Sequence, residues 1–216
     1  MLSAAHCGGE FTRVEIGRRN LSDASEDYES VNIAFEVIHP DFELGKDNGD
    51  EFVLNDMMLV KLQSSFSYET VLLDDESVDL VPGIGITAIG WEYTNKSIPK
   101  LSDVLLEADM EYIENKKCAK IHNNSITNDM ICAMHPEKTT SFCICDSGGP
   151  IIIKSENVSL DVQLGISSMV AECNPNFHSV EVCIKSGLAF IKNIQACAVP
   201  HGTEFDRCTQ ATCMID

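Results

Sequence analysis

Hydrophobic residues along the chain fall into many short runs, and polar, turn-forming segments separate these runs. Alternating or continuous apolar patterns of this length predict β-strands at residues 14–17, 31–38, 57–62, 85–91, 103–109, 151–153, 162–168 and 182–185. Residues 41–50 are predicted to form a polar loop, and residues 64–82 a linker between two halves. Leu188, Ile191 and Ile194 recur at a spacing that suits an amphipathic helix. The pattern favours an all-β barrel or sandwich that ends in one helix.

The charge balance excludes several classes of partner. The formal net charge is -19 over 216 residues, whereas nucleic acids and anionic membranes bind clustered lysine and arginine. No apolar run reaches the length needed to cross a bilayer. We therefore expect neither nucleic acid binding nor membrane insertion.

The cysteine content favours an oxidising compartment. Ten cysteines in 216 residues imply several disulfide bonds if the protein is secreted. Asn-x-Ser sequons fit that compartment, although such triplets also arise by chance, and they begin at Asn20, Asn95, Asn123 and Asn157. The first residues have neither the basic nor the apolar region of a signal peptide. Either the protein is intracellular, or its true N-terminus lies upstream of Met1.

The stretch from residue 141 to residue 150 carries a candidate nucleophile. Ser147 lies between an aspartate and the pair Gly148-Gly149, just ahead of an apolar strand. Glycines permit a sharp turn and a close approach to a ligand, so the serine can meet a bound carbonyl while neighbouring amides stabilise the oxyanion. The same residues also suit an ordinary surface turn before a strand.

Two other positions carry titratable side chains next to apolar residues. His6 lies beside Cys7, and this pair suits a core histidine or, less often, a pair of metal ligands. Asp56 precedes the apolar run 57–62, where it is either a turn residue or a buried carboxylate that orients a histidine. Taken one at a time, these residues leave the alternatives open.

Three motifs occur along the chain in the order His, Asp, Ser. They are Ala4-Ala5-His6-Cys7, Asn55-Asp56-Met57-Met58-Leu59-Val60-Lys61-Leu62 and Cys143-Ile144-Cys145-Asp146-Ser147-Gly148-Gly149-Pro150. Their order and their flanks resemble the chymotrypsin-like serine proteases of the trypsin fold. The resemblance extends over nearly the whole chain through Gly90-Trp91, Ile131-Cys132-Ala133 and Gly165-Ile166-Ser167-Ser168.

The resemblance implies a fold and its boundaries. The expected fold is all-β, with two six-stranded antiparallel barrels, the first one incomplete, and a C-terminal helix. We expect a protease domain at residues 1–196 and a cysteine-containing tail at residues 197–216. Within the domain, the partial first barrel spans residues 1–75, the second barrel residues 83–186 and the helix residues 187–196.

The resemblance also implies roles for the site residues. Ser147 attacks the scissile carbonyl, His6 transfers its proton, and Asp56 orients the ring of His6. The backbone amides of Cys145 and Ser147 form the oxyanion hole. Ser168 matches a family serine that hydrogen-bonds the triad aspartate.

By the same resemblance, more of the chain is expected upstream of Met1. Cys7 matches a half-cystine whose partner lies upstream, and a signal peptide is expected there. Asp146 matches the acid that receives a new α-amino terminus after zymogen cleavage, and residues 1–216 contain no such terminus. We therefore expect these 216 residues alone to be poorly active.

Two disulfide bonds are implied by the resemblance, and they join Cys118 to Cys132 and Cys143 to Cys173. No pairing within these residues is assigned to Cys7, Cys145, Cys183, Cys197, Cys208 and Cys213. Zinc binding by Cys143-x-Cys145 is the weaker alternative, because structural zinc needs four converging ligands. Neither a metal nor another cofactor is expected. The expected partners are a protein or peptide substrate and protein inhibitors, and the chain is expected to be a monomer.

Five positions near the substrate depart from the family pattern. Cys145 replaces a glycine of the oxyanion hole, so its side chain is expected to strain the backbone or obstruct the substrate. Ser141 replaces the aspartate that trypsin-type members carry at the pocket floor, and Met169 replaces a tryptophan. Val170 and Glu181 replace two glycines of the pocket wall. Val170 is expected to narrow the pocket, while Glu181 either attracts a basic side chain or fills the slot.

The leading interpretation is a secreted serine endopeptidase that hydrolyses peptide bonds through an acyl-enzyme. The alternative is a catalytically impaired homologue that acts as a binding or regulatory module. The intact triad favours the enzyme, whereas Cys145, Val170 with Glu181, and the missing N-terminal segment favour the homologue.

Overall fold

A computed structural model describes residues 1–9, 11–47, 50–91, 101–137, 147–170 and 178–197. The strands in these ranges are β1 (Leu2–Ser3), β2 (Arg13–Ile16), β3 (Glu29–Ile38), β4 (Glu43–Asp47), β5 (Asp50–Leu54), β6 (Met58–Leu62), β7 (Leu72–Leu73), β8 (Gly85–Gly90), β9 (Leu106–Ile113), β10 (Met130–Met134), β11 (Pro150–Ile153), β12 (Val162–Val170) and β13 (Ser179–Cys183). The α-helices are α1 (Asn115–Ala119) and α2 (Leu188–Cys197), and the 3-10 turns are Ala5–Cys7, Val158–Leu160 and Lys185–Gly187. No helix among these residues is long and apolar enough to cross a bilayer.

Six strands in the second half of the chain close into an antiparallel barrel. They follow the order β11-β8-β9-β10-β13-β12, and β12 pairs back onto β11. Strand β7 pairs in parallel with the first two residues of β12, Val162 and Gln163. The buried residues that fill the barrel are mainly apolar and include Ile86, Ala88, Met110, Ile131, Ala133, Ile151 and Leu164. The prediction of an all-β barrel fold with one C-terminal helix is confirmed.

The first half of the chain forms a half-barrel and a separate hairpin. Strands β1, β6, β3 and β2 form one open sheet in that order. The prediction of a polar loop at residues 41–50 was wrong, because β4 and β5 pair over Glu43↔Leu54 to Asp47↔Asp50. The dipeptide Asn48-Gly49 lies between these strands in the sequence, and Asn-Gly is a strong hairpin signal. The charged residues and Gly45 favour a loop when they are considered alone. A hairpin whose residues face solvent can contain charged residues and glycine as well.

A buried cluster joins the two halves and lies directly behind the predicted site. Helix α2 contributes Leu188, Phe190, Ile191 and Ile194 to this cluster. These side chains pack with Ala4 and Met57, whose exposed fractions are 0% and 1%. Ala4 lies two residues before His6, and Met57 directly follows Asp56. Burial of one such side chain contributes about 1.5–3 kcal/mol, so the cluster fixes both segments of the site.

The structure contains a disulfide bond between Cys118 and Cys132, which ties α1 to β10. Among the described residues, Cys7 and Cys183 form no disulfide bond, and Cys197 is disulfide-bonded. The other predicted pair, Cys143 with Cys173, lies outside the described residues. The domain boundaries and the tail at 197–216 stay predictions.

Candidate active site

Strand pairing brings His6 and Asp56 together at the same end of two adjacent strands, β1 and β6. The 3-10 turn with His6 follows β1, and Asp56 precedes β6. The antiparallel register pairs Ser3 with Met58. Continued by three residues, that register puts His6 opposite Asn55, the neighbour of Asp56. The meeting of the two side chains is therefore a consequence of one short strand pair.

Two hydrogen bonds join His6 to Asp56. The ring Nδ1 of His6 lies 2.6 Å from Oδ2 of Asp56, and the backbone N–H of His6 donates to Oδ1 at 2.8 Å. Asp56 is 1% exposed, so the carboxylate lies away from bulk water. A carboxylate at Nδ1 favours the tautomer with its proton on Nδ1, which leaves Nε2 able to accept a proton.

A third hydrogen bond reaches Asp56 from the second barrel. Ser168 Oγ donates to Oδ2 of Asp56 at 2.6 Å. The register between β12 and β13 shifts at this point, since Ser167 pairs with Glu181 and Met169 pairs with Val180. Ser168 is thus the extra residue of a β-bulge, and bulges commonly redirect a side chain near an active site.

The electrostatics of the pair follow from these contacts. Burial raises the pKa of Asp56, but hydrogen bonds from His6 and Ser168 outweigh burial and hold this pKa below its ordinary value. The hydrogen bond to Asp56 raises the pKa of His6, and a hydrogen bond with the Cys7 side chain raises it further. The charged form of His6 is therefore stabilised, as a base that must carry a proton during a reaction requires.

Ser147 is an exposed residue in the turn that precedes β11. The next residue, Gly148, has φ +83° and is held to β12 by its N–H, which donates to Ser167 O at 2.8 Å. A Cβ added at Gly148 would collide with Ser3 Oγ and lie 3.3 Å from Ala4 N. The turn therefore lies directly against the segment that leads into His6.

The structure thus brings four predicted site residues into one region, namely His6, Asp56, Ser147 and Ser168. Within the described ranges, the structure shows no hydrogen bond between Ser147 Oγ and His6. Such bonds are often long in a free enzyme and shorten when substrate binds. Several predicted residues lie outside the described residues, and these are Ser141, Cys143, Cys145, Asp146 and Cys173.

Two predicted pocket residues lie on neighbouring strands. The backbone of Val170 ends β12 and pairs with Ser179. Glu181 has an exposed fraction of 0% and lies on β13, paired with Ser167 and with Ile131. A fully buried carboxyl group therefore lies one strand away from the bulge at Ser168.

Sequence reasoning missed three features that complete this site. The bulge at Ser168 leaves no periodicity signal, because it depends on the pairing with another strand. The contact between Cys7 and His6 was not predicted, because Cys7 was expected to form a disulfide bond with an upstream cysteine. The pair Gly148-Gly149 predicted a sharp turn. It did not show that Gly148 is the residue that packs against Ser3 and Ala4.

Comparison with known proteins decides the family. A family model described as Trypsin matches residues 1–189. The chain belongs to the trypsin family. The predicted resemblance to chymotrypsin-like serine proteases is confirmed.

Three curated proteins illustrate what this chain is similar to. Duodenase-1 of Bos taurus is 29% identical over 156 residues, which is 70% of this chain and 59% of that protein. Granzyme F of Mus musculus is 29% identical over 160 residues, which is 72% of this chain and 62% of that protein. Mast cell protease 2 of Meriones unguiculatus is 30% identical over 156 residues, with 70% and 60% covered. The chain thus spans about three fifths of the length of these curated relatives.

One solved structure gives the same fold. It is neuropsin, a serine protease expressed in the limbic system of mouse brain. The two chains superpose with a TM-score of 0.75 and 23% sequence identity, covering 90% of this chain and 83% of neuropsin. At this identity the match establishes the fold of this trypsin-family member.

Proposed function

We propose that this trypsin-family protein is a serine endopeptidase that hydrolyses peptide bonds through an acyl-enzyme. The observation that carries the proposal is the 2.6 Å contact between His6 Nδ1 and the buried carboxylate of Asp56. This contact supplies an oriented base with a stabilised protonated form, and Ser147 is exposed on a turn that packs against the same segment.

The proposed reaction begins with attack of Ser147 Oγ on the scissile carbonyl carbon. His6 Nε2 accepts the hydroxyl proton, and Asp56 stabilises the imidazolium that results. His6 then donates that proton to the leaving amine, and the carbonyl forms an ester with Ser147. A water molecule, activated by His6 in the same way, hydrolyses the ester and restores the free enzyme.

Two backbone amides are proposed to stabilise the oxyanion, those of Ser147 and Cys145. Each such donor contributes about 3 kcal/mol to transition-state stabilisation. The N–H of the next residue, Gly148, is not one of these donors, because it is bound to Ser167 O. The zymogen-type role of Asp146 is proposed on the family resemblance alone.

The substrate pocket is proposed to involve Ser141, Ser168, Val170 and Glu181. The complete burial of Glu181 beside β12 supports a role inside the protein rather than on the surface. A carboxylate in a pocket wall favours a basic substrate side chain, whereas Val170 in place of glycine restricts the size of that side chain. The enzyme is proposed to act outside the cell as a monomer, and the disulfide bond between Cys118 and Cys132 supports an oxidising compartment.

The test is hydrolysis of a mixed-sequence peptide library by protein that is expressed from its complete gene and cleaved to its activated form. Cleavage at defined bonds that is abolished in Ser147→Ala is the expected result, and Ser64→Ala serves as a surface serine control. If wild-type and Ser147→Ala cleave equally, or if folded wild-type protein cleaves nothing, the enzyme proposal fails. Selective binding of intact peptides without cleavage would instead establish the impaired homologue.

A further inference from the structure

The loop between β11 and β12 exposes an apolar surface on the second barrel. All residues from 154 to 160 are exposed. Val158 is 78% exposed and Leu160 is 55% exposed, although both belong to a short 3-10 turn. Val158 has the largest exposed fraction among the exposed large hydrophobic residues of the described ranges. Val158 and Leu160 lie two positions apart, so a loop whose other residues are polar presents two apolar side chains to solvent.

The same turn contains the sequon Asn157-Val158-Ser159. Asn157 caps the turn, and its Oδ1 accepts hydrogen bonds from the backbone N–H of Ser159 at 3.2 Å and from Ser159 Oγ at 3.0 Å. Both bonds end on Oδ1, so the carboxamide is held by its oxygen. Within the described part of the chain, Nδ2 of Asn157 has no hydrogen-bond partner, and this nitrogen is the atom that a glycan modifies.

The sequon at Asn20 is built differently. Asn20 is half-buried, and its backbone forms a bridge with Val104 of the second barrel. Ser22 Oγ donates to Asp103 at 2.8 Å, and Leu21 N–H donates to the carbonyl of the same residue at 2.7 Å. A sugar on Asn20 would have to fit against this packed segment, whereas a sugar on Asn157 meets open solvent.

The sequon at Asn157 also lies far from the catalytic residues. Ser147 precedes β11, and the loop follows the other end of that strand. Ser168 lies six residues along β12 from Val162, which is about 20 Å at about 3.3 Å per residue. A bulky glycan at this end of the barrel leaves the region around His6 and Asp56 accessible.

We propose that Asn157 is an N-glycosylation site and that the first sugars of its glycan cover Val158 and Leu160. The donor is a lipid-pyrophosphate-linked oligosaccharide. Nδ2 of Asn157 forms a bond to the anomeric carbon, and the bond from that carbon to the pyrophosphate oxygen breaks. The lipid pyrophosphate leaves with the electron pair, and the amide proton passes to a base of the transferase. This inference rests on the secretory route that the proposed function includes.

The test is expression of the full gene behind a secretory leader in eukaryotic cells, with site mapping by mass spectrometry. Enzymatic glycan release in heavy-oxygen water converts each occupied asparagine into labelled aspartate. Label at residue 157, and the loss of one glycan in Asn157→Gln and in Ser159→Ala, is the expected result. Ser159→Thr keeps the sequon and should keep the glycan, which makes it the matched control. Translation with microsomes gives the same glycan count if the yield of secreted protein is low.

Coverage of the apolar pair has its own readout. Asn157→Gln should bind a hydrophobic dye at least twice as strongly as wild-type protein, and the triple variant with Val158→Ser and Leu160→Ser should return to the wild-type level. The rate of labelling of Ser147 by a fluorophosphonate should stay within twofold in all these variants. An unlabelled residue 157 in protein that cleaves peptides would overturn this inference alone. Equal dye binding with and without the glycan would overturn the coverage, while an inactive but glycosylated protein would contradict only the proposed function.

Discussion

The turn at Gly148 gives the sharpest test of how the active site is assembled. The substitution Gly148→Ala adds one methyl group to a residue with φ +83°. The new Cβ would collide with Ser3 Oγ and would lie 3.3 Å from Ala4 N, two residues before His6. The substitution therefore acts on the contact between the turn with Ser147 and the segment with His6.

Two costs add up at this position. A left-handed backbone costs a non-glycine residue about 1–2 kcal/mol. Overpacking a tight contact costs about 1–3 kcal/mol. We expect a loss of about 3 kcal/mol in the free energy of unfolding, which lowers Tm by about 6–12 °C in a chain of this size. A displacement of about 1 Å at Ser147 should lower the reaction rate about 100-fold.

The assay combines thermal unfolding with the rate of fluorophosphonate labelling at Ser147. Ser3→Ala is the control, because Ser3 Cβ is 3.6 Å from the added carbon, an ordinary contact. In the double variant the collision is relieved, so we expect recovery of about 1–3 kcal/mol while the backbone cost remains. A single variant that keeps the wild-type Tm and labelling rate, or a double variant without recovery, would refute this reasoning.

Four further predictions follow from the site and the core. Ser168→Ala removes a hydrogen bond to the carboxylate of Asp56, so it should lower the free energy of unfolding by denaturant by about 1.5–3 kcal/mol and raise the pKa of Asp56. An unchanged denaturation midpoint would contradict this prediction. Because Asp56 raises the pKa of His6, the acidic limb of the profile of reaction rate against pH should have its midpoint above the ordinary histidine pKa of about 6.5. Asp56→Asn should lower that midpoint, and equal midpoints in the two proteins would argue against the pairing of Asp56 with His6. Met57→Ala should cost about 2–5 kcal/mol in unfolding, whereas Met134→Ala, at a half-buried position, should cost less. Removal of the disulfide by Cys132→Ala should cost about 3 kcal/mol, since its sequence separation is 14 residues, and a loss below about 1 kcal/mol would count against a structural role.

Local pattern and motif order were sufficient to predict much of this fold. The apolar run 57–62 contains β6, and the run 162–168 forms most of β12. The spacing of Leu188, Ile191 and Ile194 predicted the helix α2. Period and residue type carry this information, because each strand must bury one face whatever its partner. The same local signals gave a wrong prediction at residues 41–50. The charged residues there suggested a loop, but the structure has the β4–β5 hairpin.

The meeting of distant residues was beyond local pattern. His6 and Asp56 are separated by fifty positions, and only the pairing of β1 with β6 shows that they are neighbours. Their order with Ser147 was informative only because it resembles a known family. The bulge at Ser168 depends on the register between β12 and β13. The residues around Ser168 alone do not determine that register, because it also depends on the partner strand.

The central claim is that His6, Asp56 and Ser147 act together as a proton-transfer unit. The most direct measurement is the site and rate of covalent labelling by a fluorophosphonate, followed by peptide mapping. We predict a single adduct on Ser147 that forms at least 100 times more slowly in His6→Ala and that is absent in Ser147→Ala. An adduct at another residue, or labelling of Ser147 at equal rates with and without His6, would contradict the account.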